Sequence, residues 1–352
     1  MTLTPIPYWA TDVDRTVEPS AGEKATGWQA GYAPPARKMN WILNQLAEAM
    51  RSQLVLNLAN LSARDSGGGA TNTYFGLAHD GSGLWCAVGA NGEIQTSPWG
   101  ITWTARTAAG GYSSTFNAAA HDGSGLWCIV GASGEIQTSP DGNTWTARTA
   151  AGAYAGTFQG IAHDGSSLWC AVGSSGEIQT SPDGITWTAR TAAGAYSGTF
   201  YAVAHNGGGL WCAVGSGGEI QTSPDGITWT ARTAAGGYSD AFKSITYGAS
   251  QWCIAGHAHA LQTSPDGITW TAQTTATGFL GASDDFESVD YDGAQVWCIV
   301  GSSKELQVSV DDCVTWTRYP LDASTGLNEI RYGINSWIVT GASGELFQSL
   351  RI

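Results

Sequence analysis

Positive charge is scarce in this chain. Its 352 residues carry 15 Lys and Arg against 29 Asp and Glu, a formal net charge of −14. Phosphate binding needs a basic face that displaces counterions, so no nucleic-acid partner is expected. Charge of either sign is low, at 12% of residues. Long apolar runs are also missing. No stretch reaches 18 residues, so no membrane insertion is expected, and the N-terminus lacks the basic-then-apolar pattern of a secretory signal. Helical periodicity is absent from most of the chain. Glycine is abundant instead, at 48 residues, and 17 tryptophans supply core anchors that a disordered chain would lack. Residues 1–59 hold five acidic and five basic residues, so the whole net charge falls on 60–352.

The seven cysteines do not form a disulfide pattern. Cys86, Cys128, Cys170, Cys212, Cys253 and Cys298 follow the same tryptophan in successive repeats. Equivalent positions in neighbouring repeats lie too far apart for a bridge, which needs Cα atoms within about 7 Å. They are expected to be small buried apolar residues without a redox role, compatible with synthesis in a reducing cytoplasm.

The repeat itself is centred on Leu84-Trp85-Cys86-Ala87-Val88-Gly89. Its tryptophans are Trp85, Trp127, Trp169, Trp211, Trp252, Trp297 and Trp337, in steps of 42, 42, 42, 41, 45 and 40 residues. Each unit holds four short alternating runs separated by Gly- and Asp-rich turns, as half-buried antiparallel strands require. A period near 40–50 residues with four strands per unit predicts a β-propeller, and seven units predict seven blades. We label the strands a to d from the channel outward. The seventh unit ends after strand c. Asn60-Leu61-Ser62-Ala63-Arg64 aligns with Thr102-Trp103-Thr104-Ala105-Arg106, so the strand at 60–64 is expected to close the ring as strand d of the last blade.

The turn between strands c and d reads Ser139-Pro140-Asp141-Gly142-Asn143-Thr144-Trp145 and returns from Ser181, Ser223 and Ser264. It resembles a one-residue-shorter Asp box, the Ser-x-Asp-x-Gly-x-Thr-Trp turn of sialidase-type propellers. The copy at Ser309 has the full spacing with Cys313 in place of glycine, and the first copy has Trp99 in place of aspartate. In those families the box is structural and lies opposite the catalytic centre, so the resemblance implies fold and not chemistry. Its aspartate is expected to accept turn amides.

Upstream, residues 1–38 are unlike the repeats. Gly27-Trp28, Gly31, Pro34-Pro35 and Asn40-Trp41 run into Ile42, Leu46, Ala49, Met50 and Leu54, an apolar stripe at helical spacing over 39–59. This block resembles the N-terminal segments of bacteriophage tail-fibre proteins. That resemblance implies virion attachment to other tail proteins through Trp28, Pro34, Pro35, Asn40 and Trp41, with the helix bundling as a homotrimer. The alternative is a helix that simply packs under the propeller.

Candidate site residues follow from the loops joining strand d to the next strand a. Tyr112, Tyr154, Tyr196 and Tyr238 recur there, and aromatic faces beside hydroxyls suit a sugar ring or a protein partner. They could equally pack loop against blade. Arg106, Arg148, Arg190 and Arg232 end the outer strands and are poor candidates for an axial site. Catalytic groups should break the repeat. Ser283-Asp284-Asp285-Phe286-Glu287 does so; its three carboxylates could serve acid–base chemistry or calcium, or simply form a solvated acidic loop. His257-Ala258-His259 also does so, and in a strand its two rings would share a face. His79, His121, His163 and His205 are expected to make turn hydrogen bonds. No catalytic set, cofactor or metal site emerges. The sequence therefore reads as a non-enzymatic phage tail adhesin whose propeller recognises a host-surface glycan or protein. A propeller glycosidase acting on host polysaccharide and a purely structural tail component are the alternatives.

Overall fold

Every unit of the repeat forms one four-stranded antiparallel sheet in strand order a-b-c-d. The computed structural model describes residues 62–63, 72–275, 285–321, 323 and 325–349. In blade 2 the strands are Phe116–His121, Trp127–Gly131, Ile136–Ser139 and Thr146–Arg148. His121 pairs with Trp127, Trp127 with Ser139, and Ile136 with Arg148. Blade 1 begins at Tyr74, and blades 3 to 7 at Phe158, Phe200, Phe242, Phe286 and Leu327. Seven such sheets make a seven-bladed β-propeller. Ser62–Ala63 supplies strand d of blade 7, with Ser62 paired to Gln348 and Ala63 to Phe347. Gln348 also donates its Nε2 to the Trp99 carbonyl at 2.7 Å, tying blade 7 to blade 1. The N-terminal block, including Trp28, Pro34, Pro35, Asn40, Trp41 and the stripe at 39–59, lies outside the described residues.

The core lies between blades. Cys86, Val88 and Ile94 of blade 1 pack against Phe116, Trp127, Ile129 and Trp145 of blade 2, and the pattern recurs around the ring. All seven strand-b tryptophans are at most 2% exposed. Truncating one such ring to alanine costs about 3–5 kcal/mol. In the c–d turns, Asp141 Oδ1 accepts the amides of Asn143 and Thr144, both at 2.8 Å. These donors hold its carboxyl below the ordinary carboxylate range. The cysteines are free and buried. Cys313, the one outside the repeat register, has its Sγ 3.8 Å from that of Cys253 across the boundary between blades 5 and 6.

Two contacts fix the d–a loops that frame one mouth of the channel. Buried Gln137 accepts the Ala109 amide at 2.8 Å and returns its Nε2 to the Ala109 carbonyl at 3.2 Å. Gly134, in the b–c turn, donates its amide to the Gly156 carbonyl of the next d–a loop at 2.6 Å. Its φ is +72°, and a Cβ there would collide with the Tyr154 carbonyl, so only glycine permits this approach.

Candidate binding site at the channel

The loop tyrosines hold the framework. The ring of Tyr112 stacks on Phe116 with centroids 4.6 Å apart, and Tyr154, Tyr196 and Tyr238 stack likewise on Phe158, Phe200 and Phe242. Tyr196 Oη lies 3.0 Å from the carbonyls of both Thr199 and Ser216, to which it donates. Its copies do the same with Thr115 and Ala132, Thr157 and Ser174, and Ala241 and His257. Each therefore bolts a d–a loop to the facing b–c turn. Burial raises all four phenol pKa values. The hydroxyls that made these residues candidates for ligand contact are thus engaged internally.

The other repeating residues are also occupied. Arg106 Nε donates to Thr96 Oγ1 at 2.7 Å between strands c and d, and Arg148, Arg190 and Arg232 repeat the bond. His79, His121, His163 and His205 accept a glycine amide on Nδ1 at 3.0–3.1 Å. Each ring stacks on the strand-b tryptophan of its blade at 4.6–5.0 Å.

The residues that break the repeat converge on the channel. Every strand a shifts register after its first residue, between Tyr74 and Gly76 in blade 1 and between Leu327 and Glu329 in blade 7. The skipped residues are Phe75, Asn117, Gln159, Tyr201, Lys243, Glu287 and Asn328. A bulge frees one residue from the ladder and re-aims its side chain. All seven line one cavity of about 400 Å³. Two of them clip blades together: Asn117 Nδ2 donates to the Phe158 carbonyl at 2.8 Å, and Asn328 Nδ2 to that of Tyr74 at 3.0 Å. Phe75 is 38% exposed. Lys243 Nζ sits 4.8 Å over the Tyr201 ring, a cation–π contact. The Gln159 amide, the Tyr201 hydroxyl and the Glu287 carboxylate make no hydrogen bond among the described residues. Burial raises the Glu287 pKa, Lys243 and His257 oppose the shift, and Asp285 adds to it.

Below this ring, blades 6 and 7 place an ionic cluster. Arg331 reaches Glu329 Oε1 at 2.8 Å and Asp290 Oδ1 at 3.7 Å, and the Tyr332 amide donates to Asp290 Oδ2 at 2.7 Å. Burial lifts the Glu329 carboxyl to about 7, with Arg331 opposing. At the rim, His257 stands between Asp240 at 3.5 Å and Asp285 at 3.1 Å.

Two expectations about repeat-breaking residues need correction. His257-Ala258-His259 is not a strand but the b–c turn of blade 5, with Ala258 and His259 at φ +51° and +61°. The rings diverge, His257 towards the two aspartates and His259 onto Phe286 at 5.4 Å. In the acidic stretch, Ser283 and Asp284 lie outside the described residues. Phe286 enters the core and splits the rest: Asp285 binds His257 and the Ala258 amide, whereas Glu287 faces the channel. The Phe75-to-Asn328 ring went unread in the sequence. Its signal was the second residue of strand a, where blades 1 to 4, near-identical in strands b to d, carry Phe75, Asn117, Gln159 and Tyr201.

No family model and no curated protein matches this sequence. Solved structures do. YCF48 bound to a D1 peptide is 19% identical, with a TM-score of 0.66 over 82% of this chain and 94% of that one. YCF48 from Cyanidioschyzon merolae is 18% identical, with a TM-score of 0.63 over 82% and 98%. The WD40 β-propeller domain of Doa1 is 8% identical, with a TM-score of 0.66 over 83% and 97%. These likenesses show the seven-bladed fold. They also correct the tail-protein reading. These three structures are YCF48 and Doa1 propellers and not virion components, so the phage adhesin function, its glycosidase and structural-tail alternatives and the virion location are withdrawn. The tail partners and the homotrimer rested on the same short resemblance and on residues outside those described.

Proposed function

We propose that the propeller is a non-catalytic module that binds a peptide segment of a protein partner at the channel mouth framed by the d–a loops. One observation carries this reading. Blades 1 to 4, near-identical in strands b to d and the turns between them, carry Phe75, Asn117, Gln159 and Tyr201 at the strand-a bulge, and the bulge residues of all seven blades share one cavity. Framework demands explain identity between blades, and they leave this divergence unexplained. The chemistry suits a peptide: an exposed phenylalanine, an unbonded amide, a tyrosine face and two opposite charges side by side. At about 400 Å³ the cavity accepts one or two side chains. YCF48, a propeller of the same architecture, is known bound to a D1 peptide.

The test is a selection of displayed random peptides on the purified protein, with affinities then measured by fluorescence polarisation. Tyr201→Ala and Gln159→Ala should each weaken binding about tenfold, which corresponds to about 1.4 kcal/mol. Tyr112→Phe should leave affinity unchanged. Selected peptides that ignore the channel substitutions, or a selection that yields none, would overturn the proposal.

A further inference from the structure

Charge is not spread evenly around the mouth. Blades 1 to 4 present Phe75, Asn117, Gln159 and Tyr201, all neutral. Blades 5 to 7 hold the carboxylates Asp285, Glu287, Asp290 and Glu329 against the cations Lys243 and Arg331, with His257 at the rim. The basic side chains there are already engaged. Arg331 is shared between Glu329 and Asp290, Lys243 leans onto the Tyr201 ring, and His257 is clamped by two aspartates. Glu287 differs. It is partly buried, it faces the cavity, and it accepts no hydrogen bond among the described residues. A carboxylate so placed gains most from an incoming charged donor, because its own desolvation is already in the folded structure. Phe75 and Tyr201 stand two blades to either side of it and offer apolar cover for an aliphatic stem.

We infer that the blade 5–7 side of the mouth takes a cationic side chain, lysine or arginine, of the bound peptide, with Glu287 as its counter-charge and the Phe75 and Tyr201 rings flanking its stem. This inference rests on the peptide-binding reading above. The propeller's net charge would also steer basic segments towards it over acidic ones.

Parallel selections from a random displayed 12-residue library distinguish the two levels. Wild type, Glu287→Gln, Lys243→Glu and Tyr201→Ala are each used as bait after near-ultraviolet circular dichroism shows that they are folded. Wild type should enrich peptides with a lysine or arginine, and Glu287→Gln should bind those peptides at least tenfold more weakly. Lys243→Glu, which removes the competing cation, should bind them more tightly. Peptides that depend on Tyr201 but show no basic enrichment, or that tolerate Glu287→Gln, would overturn the cation site and leave the peptide-binding reading standing. Enrichment of acidic peptides through Lys243 would overturn it too. Peptides indifferent to Tyr201→Ala would overturn both. Should Glu287→Gln fail to fold, Lys243→Glu alone decides: unchanged or weaker binding of basic peptides refutes the inference.

Discussion

Tyr196 and Tyr201 lie five residues apart, one on a d–a loop and the other on the strand-a bulge of blade 4, and the same substitution should act on them in opposite ways. Tyr196 Oη shares its hydrogen between the Thr199 and Ser216 carbonyls at 3.0 Å, so Ser216 Oγ, at 2.9 Å, donates to it. Tyr196→Phe removes this node from a half-buried site. The Thr199 carbonyl keeps the Ser216 amide as a donor at 2.9 Å, which limits the loss. The expected cost is about 1–2 kcal/mol of unfolding free energy. In a domain of this size that is a melting-temperature drop of about 2–4 °C. Tyr201 Oη has no hydrogen bond among the described residues, so Tyr201→Phe should leave stability within about 0.5 kcal/mol of wild type. Peptide affinity should fall about tenfold for Tyr201→Ala, which removes the ring, and stay constant for Tyr196→Phe. Urea denaturation followed by tryptophan fluorescence gives the first comparison, and polarisation with a selected peptide gives the second. Equal stability losses, or a binding defect confined to Tyr196→Phe, would refute the division between framework and site.

Acidification should unfold the protein progressively below pH 6.5. Burial lowers the pKa of His79, His121, His163 and His205 from 6.5, so the unfolded chain binds the extra protons first and stability falls with pH. Glu329 acts in the opposite sense: lifted from 4.5 to about 7, it favours the fold as pH drops through that window. Glu329→Gln should therefore show a steeper stability loss between pH 7 and 5 than wild type, and a shallower slope would contradict these assignments. All seven cysteines should be unreactive to a thiol reagent in the native state and react after denaturation, since all seven are buried out of the reagent's reach; bridged peptides in non-reducing mass spectrometry would refute this. Removal of residues 1–59 should leave the melting transition of the propeller in place. Removal of 1–66 should lower it, because Ser62–Ala63 is lost and the edge of Leu346–Gln348 is exposed; identical melts would refute the closure.

The fold was legible because its determinants repeat. A tryptophan every 40–45 residues marks strand b, and the offset that matches Asn60–Arg64 to Thr102–Arg106 marks the closing strand. Both are properties of spacing, which sequence displays directly. The candidate site was not legible, for a physical reason. A bulge is a one-residue shift against a partner strand, and the alternation of apolar and polar residues does not reveal it. Phe75 and Tyr201 pass for core residues at that column, and Asn117 and Lys243 for surface ones. The recurring tyrosines drew attention instead, yet recurrence is the mark of a framework part, as their paired carbonyl contacts show. His257 and His259 misled because a strand was assumed where the backbone turns at positive φ. The tail-fibre resemblance covered about 30 residues upstream of the propeller, a block whose pattern says nothing of what the distal domain recognises.

The strand-a bulge separates two kinds of inheritance. Residues in the ladder must answer to a cross-strand partner and to the next blade's core, so a change at Trp127 or Ile129 must be matched elsewhere. A bulged residue answers to neither. Five of the seven axial positions carry no interblade hydrogen bond, and each can change without disturbing register or core. Duplication of a blade thus copies the scaffold while leaving the bulge free to drift in the five copies where it makes no interblade bond. The ring of Phe75, Gln159, Tyr201, Lys243 and Glu287 is then a short alphabet written on an invariant page, and new binding preferences can be written there without rebuilding the propeller.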